Sequence, residues 1–259
     1  MAIFSNEEYL SRITKTKQRM LDAGIEVLIV ADPANMNYLT GYDGWSFYVP
    51  QVVIVALDDN EPVWIGRGMD ANGAKHTTFL SPDHIIGYPD DYVQNLAKHP
   101  MNFVADYLIQ KGWDAKTIAT ELDAYYFTAR CQQELTKSLS KSKFTDGNLL
   151  VSWVRLVKSE QEIAYMKQAG KIMEKVMQTA IDVVAPGVRE CDAVASIYQA
   201  QIAGTAEFGG DYTAIVPMMP SGEKTSTPHL TWTDEPYGNE LAVNLELAAC
   251  RHRYHCPMA

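Results

Sequence analysis

One amphipathic stripe constrains this chain more than any other feature. Ser159-Glu160-Gln161-Glu162 is a capping box, in which a hydroxyl and a carboxylate satisfy the free amides that begin a helix. Behind it Ile163, Met166, Ala169, Ile172, Met173, Val176, Met177, Ala180 and Ile181 recur at helical spacing, until Pro186-Gly187 stops the pattern. So long an apolar face must be covered by other elements, and a methionine-rich stripe is core far more often than a cofactor box. The start of this helix separates two regimes of sequence. The boundary falls near 150–158 and divides the chain into 1–154 and 155–259.

Before the boundary, strands alternate with helices. Ser5-Asn6-Glu7-Glu8 is another capping box, and Leu10, Ile13, Met20 and Leu21 then mark a helix over about 6–23, closed by Gly24. Val27-Leu28-Ile29-Val30 has the β-branched character of a buried central strand, followed by a turn-rich Asp32-Pro33-Ala34-Asn35. Residues 51–57 and 62–65 flank Asp58-Asp59-Asn60-Glu61 and read as a hairpin. Helices near 100–111 and 123–138 surround a strand at 117–120. This alternation predicts an α/β layered sandwich. After the boundary a second helix is expected at 190–203, and then extended runs at Thr213–Met219, Leu241–Ala249 and Arg251–Met258.

Composition excludes several classes. A formal charge of −10 opposes a phosphate-binding surface, so nucleic acid is not an expected partner. No apolar run reaches the roughly 18 residues that span a bilayer, and the first residues lead directly into charge, so a soluble, cytoplasmic protein without a membrane partner is expected. Cys131, Cys191, Cys250 and Cys256 form no CxxC pair and read as reduced, buried thiols. There is no G-x-G-x-x-G after a strand, no Walker loop, no H-E-x-x-H and no G-x-S-x-G.

The residues that could carry chemistry cluster late in the chain. His229, in a Pro-flanked turn, has the proton affinity for transfer near neutrality, although a lone histidine is more often structural. Glu246 interrupts the apolar pattern of Val243, Leu245, Leu247 and Cys250, so it lies at a sheet edge or is buried beside a partner. Arg251, His252, Arg253 and His255 form a basic cluster that is weak as a metal site; Arg251 or Arg253 could grip a carboxylate or simply line a solvated turn. Early in the chain, Tyr42-Asp43-Gly44-Trp45-Ser46-Phe47-Tyr48 packs four aromatics into one loop, either as core anchors or as an aromatic lining for a cationic ligand.

Taken together, the two-part layout and these motifs resemble the creatinase and prolidase superfamily. The resemblance implies an N-terminal creatinase-like α/β domain followed by a pita-bread catalytic domain, here incomplete, giving an overall α/β (α+β) class. The family's domain continues beyond the point matched by Ala259, so 155–259 is expected to be its C-terminally truncated first part. Metal-dependent members carry two strand aspartates; Glu246 falls at the first and Pro257, three after Tyr254, at the second. Proline cannot ligate a metal, so the chain resembles the metal-free branch, with no cofactor implied.

Within that branch the loop at 42–48, Gly66-Arg67-Gly68-Met69-Asp70 and Glu246-Leu247-Ala248 with Cys250–His255 resemble enzymes that open a cyclic amidine bearing a carboxylate. The implied product is an N-acetylated diaminobutyrate and the implied partner a small zwitterion. Glu246 would attack the amidine carbon or position water, and His229 would move the proton. Trp45, Phe47 and Tyr212 would stack on the ring; Arg67 or Arg253 would hold the carboxylate, with His255 beside them. The aromatic loop also implies a homodimer, since in creatinase it serves the neighbouring pocket. Rival readings are a creatinase-like or Xaa-Pro dipeptidase-like hydrolase and an inactive truncated homologue.

Overall fold

The computed structural model describes residues 2–147 and 149–259, and the chain divides into two compact units, Met1–Val157 and Lys158–Ala259. The first is built on a six-stranded sheet in the order β4-β3-β2-β1-β5-β6. Its strands are β1 (Val27–Val30), β2 (Val52–Ala56), β3 (Val63–Arg67), β4 (Ile85–Tyr88), β5 (Thr117–Thr120) and β6 (Lys143–Asp146). β2 runs antiparallel to both β1 and β3, with Ile29 opposite Ile54 and Val53 opposite Trp64, so 51–65 forms the expected hairpin. The β3–β4, β1–β5 and β5–β6 pairs are parallel.

Every residue of β1 and β2 is buried, and alternation assigns them to two cores. Val27, Ile29, Val52 and Ile54 join Met101, Val104, Leu108 and Leu135 on one face, under α4 (Pro100–Gln110) and α5 (Ala129–Ser138). Leu28, Val30, Val53, Val55 and Trp64 face Met20, Met36, Leu39, Ala74 and Val151 on the other, from α1 (Asn6–Asp22), α2 (Pro33–Thr40), α3 (Ala71–Thr77) and α6 (Leu150–Arg155). Each fully buried aliphatic side chain contributes about 1.5–3 kcal/mol, so this two-sided burial holds the sheet.

Several elements differ from the sequence reading. Asp32-Pro33, read as a turn, instead starts α2: the Asp32 carboxylate accepts from Asn35 N at 2.9 Å, Pro33 sits where no N–H is needed, and Gly41 closes the helix at φ 83°. α5 begins at Ala129 and not near 123, because the Thr128 hydroxyl caps it. The elements α3, β4, β6 and α6 were not expected. The buried Glu121 carboxylate, just past β5, accepts from the amides of Ala31 and Asp32 at 2.8 Å each and from Asn35 Nδ2 at 2.6 Å. Arg155 in turn donates to Asn35 Oδ1 at 2.7 Å, which ties α6 to the start of α2.

In the second unit α7 (Glu160–Val183) and α8 (Glu190–Ala203) pack with the hairpin of β7 (Leu247–Arg251) and β8 (Tyr254–Met258). The capping box forms as expected, with Glu162 N on Ser159 Oγ at 3.3 Å and Ser159 N on Glu162 Oε2 at 2.8 Å. The apolar face of α7 is narrower than its sequence stripe: Ala169, Ile172, Met173, Val176 and Ala180 are buried, whereas Ile163, Met166 and Ile181 are exposed. Of the expected extended runs, 213–219 and the 241–246 part of Leu241–Ala249 form no strand and meet through one bridge, Met218 with Glu246, with a second bridge, Ser221 with Val243, just past the first run. Pro217, which has no N–H to donate, interrupts the first run and leaves too few consecutive partners for a ladder.

Candidate functional site

Glu246 stands where the irregular 241–246 segment becomes β7. Its backbone exchanges two hydrogen bonds with Met218, at 2.9 and 3.0 Å, so the position is held although no ladder precedes it. The half-buried residue lines a cleft of about 520 Å³ with Met177, Val243, Asn244, Leu245, Met258 and Ala259. It is the one ionisable side chain in that lining. A carboxylate set among mainly apolar side chains is a natural partner for a cation, and the open cleft leaves it accessible to a ligand from solvent.

At the other end of β7 the chain reverses in two residues, His252 and Arg253, with φ of 51° and 68°. A tight hairpin favours this backbone but normally uses Asn or Gly, and each side-chain-bearing residue there costs about 1–2 kcal/mol. Neighbours offset the cost. Asp211 Oδ2 accepts from His252 N at 2.5 Å, the Tyr165 ring meets the His252 ring edge-on at 4.6 Å, and the Arg253 guanidinium lies 3.8 Å over the Tyr212 ring. His255 Nε2 accepts from Ala214 N at 3.0 Å, which puts the ring proton on Nδ1, where it is donated to Arg253 O at 3.0 Å. Burial pushes the His255 imidazole below its ordinary value, in keeping with an Nε2 that accepts. The structure thus gathers Tyr212, Arg253 and His255 around the turn, with both His255 nitrogens engaged by backbone.

His229 stands on an exposed turn after the short 3-10 helix Gly222–Ser226, outside the residues lining the Glu246 cleft. Trp45, Phe47 and Arg67 belong to the first unit. There Tyr42 alone of the loop aromatics is buried, its hydroxyl donating to Gln51 Oε1 at 2.9 Å and its acidity suppressed to a value of about 12 by burial. Trp45 is 64% exposed and packs on Phe47 at 5.1 Å; Phe47 packs on Tyr126 at 4.9 Å. Both alternatives for the loop therefore hold, for different residues. Arg67 makes a two-pronged contact with Asp90 at 2.8 and 3.1 Å, so an incoming carboxylate must compete for its fork.

Two contributors escaped the sequence reading. Asp90 follows a proline in a run that reads as an ordinary loop, and Asp211 sits between glycines and Tyr212 with no periodic signal. Only the fold brings each to its arginine-bearing neighbourhood.

Residues 12–157 match the Creatinase/Prolidase N-terminal domain, and residues 164–259 match Metallopeptidase family M24. An uncharacterized hydrolase/peptidase of Sinorhizobium fredii is 48% identical over 256 residues, which is 99% of this chain and 65% of that protein. Ectoine hydrolase of Halomonas elongata is 45% identical over 262 residues, again 99% of this chain and 65% of the relative. The solved structure of a prolidase from Thermococcus sibiricus shares the fold, with a TM-score of 0.80 at 19% identity over 98% of this chain and 65% of that one. The chain therefore spans 65% of the length of these curated relatives. With the N-terminal domain match alone taking in more than half of its 259 residues, the chain belongs to the creatinase/prolidase family.

Proposed function

We propose that this protein opens the cyclic amidine ring of ectoine with water to give N-acetyl-2,4-diaminobutyrate. The observation that carries the reading is Glu246, the one ionisable side chain lining its cleft, on a chain 45% identical to an ectoine hydrolase. An amidinium placed in that cleft is held by the opposite charge, and the same carboxylate attacks the amidine carbon or orients the water that does. The water oxygen becomes the acetyl carbonyl, the ring carbon–nitrogen bond breaks, and the departing nitrogen takes a proton. His229 supplies that proton in this reading, carried by the exposed turn. Trp45 and Phe47 form an aromatic face suited to a neighbouring subunit's pocket, which favours a homodimer.

The name of the M24 family implies metal. The side chains here do not fit one: position 257, opposite Ala248 in the hairpin, is a proline without a side-chain donor atom, and Glu246 is the one acidic side chain lining its cleft. Among the described residues no group of three or more His, Cys, Asp or Glu side chains could hold a metal ion. No step of the proposed reaction runs through one.

The test is chromatography of ectoine incubated with the purified chain, with and without a chelator. Loss of ectoine matched by product, unchanged by the chelator, is expected. Metal-dependent release of proline from a dipeptide, with ectoine untouched, would overturn the proposal.

A further inference from the structure

One buried carboxylate outside the cleft holds the loop that carries His229. Glu190, 3% exposed at the first position of α8, accepts from Thr233 N at 2.7 Å, Thr233 Oγ1 at 2.9 Å and Ser221 Oγ at 3.3 Å. Lys224 Nζ stands 3.7 Å from the same carboxylate and 2.6 Å from Glu235. Its partners therefore come from both ends of one loop: Ser221 and Lys224 before the turn, Thr233 after it. The backbone repeats the pattern, with Glu190 N on Glu235 O at 3.0 Å, Cys191 N on Thr233 O at 3.0 Å and Tyr237 N on Val188 O at 2.9 Å. Between these anchors residues 226–231 are all exposed, and the Trp232 ring, edge-on to Tyr198 of α8 at 6.0 Å, is the last hold before Thr233.

We infer that Glu190 is a positioning residue, a clamp that joins both ends of the 221–237 loop to the start of α8 and so fixes where the His229 imidazole stands. A carboxylate suits the task because its two oxygens accept several hydrogen bonds at once and its charge is favourable at a helix start. The geometry of the clamp is independent of the reaction; its effect on turnover rests on the proposed role of His229.

Glu190→Gln keeps the shape but gives one side of the group a donor where an acceptor is needed. Hydrogen exchange followed by mass spectrometry should show the amides of 225–237 exchanging about tenfold faster or more, with α7 and β7 unchanged. Unchanged protection of that loop overturns the clamp. Thr233→Val provides the same reading if Glu190→Gln does not fold, and Thr233→Ser should restore protection. In ectoine turnover, Glu190→Gln should lower kcat about 10- to 100-fold with KM within about twofold, as expected when a reacting group is misplaced and binding is not. A loosened loop with undiminished kcat overturns the positioning role. If the parent chain does not turn ectoine over, the proposed function fails, and the exchange result alone decides the clamp.

Discussion

The Tyr254 hydroxyl donates to Glu162 Oε1 across 2.8 Å, so the capping carboxylate of α7 also holds the second strand of the hairpin that Glu246 precedes. Glu162 is 2% exposed. Tyr254→Phe removes a hydrogen bond to a buried charged group and should cost about 1.5–3 kcal/mol. Urea unfolding measures it, and an unchanged midpoint would show that the contact contributes nothing to holding the unit together.

The two residues of the hairpin turn offer a test of strain against attraction. Arg253→Gly relieves a left-handed backbone at a gain of about 1–2 kcal/mol, while it loses about 0.5–1 kcal/mol of contact with the Tyr212 ring and adds chain entropy to the unfolded state. These effects nearly cancel. Arg253→Val loses the same contact and keeps the strain in a β-branched residue, so it should be less stable than the glycine variant by at least about 1 kcal/mol in thermal or urea unfolding. Equal stabilities would mean that the turn changes its backbone when the ring contact goes.

The bonds of His255 suit its neutral form, with Nε2 accepting from Ala214 N and the Nδ1 proton on Arg253 O, and burial lowers its pKa. Its folded value lies below the ordinary 6.5, so below that pH the unfolded chain binds the extra proton first. Stability from this group is fully present above 6.5 and falls as pH drops through that value. Comparing urea midpoints at successive pH values from neutral downward, the parent chain should lose stability with a steeper slope than His255→Gln. Parallel slopes would assign the acid sensitivity to other groups.

Glu246→Gln keeps the volume of the half-buried side chain and its backbone bridge to Met218, so stability should stay within about 0.5 kcal/mol. Ectoine ring opening should fall by about 10²–10⁴-fold, the range for losing a group that acts on the reacting atoms. Wild-type turnover by this variant would remove Glu246 from the chemistry.

How much of this was legible depends on whether a residue's partners are near it in sequence. Ser159 forms its full capping box and Ser5 only the hydroxyl half, the Glu8 carboxylate going to Arg12 instead, but both caps stand within four residues of their partners, and α1 and α7 appear where the spacing puts them. β4 and β6 have four residues each, and β6 is bounded by Lys143 and Asp146, so neither carries enough apolar alternation to be read alone. Asp32-Pro33 illustrates a real ambiguity, since the same dipeptide opens turns and helices and only Gly41 eight residues on distinguishes them. In the site, Glu246 drew notice as a charge within an apolar run. Glu190 did not, because an acidic residue at a helix start is ordinary; what sets it apart is a hydroxyl 43 positions away.

Glu121 draws on amides 89 and 90 positions earlier in the chain, across the parallel pairing of β5 with β1. Those bonds can close only after two distant stretches have met, so the junction they secure is expected to form late in the assembly of the first unit. Removing the carboxylate, as in Glu121→Ala, should therefore shorten the lifetime of the assembled unit while leaving its rate of assembly nearly unchanged, a distinction that stopped-flow unfolding and refolding can read.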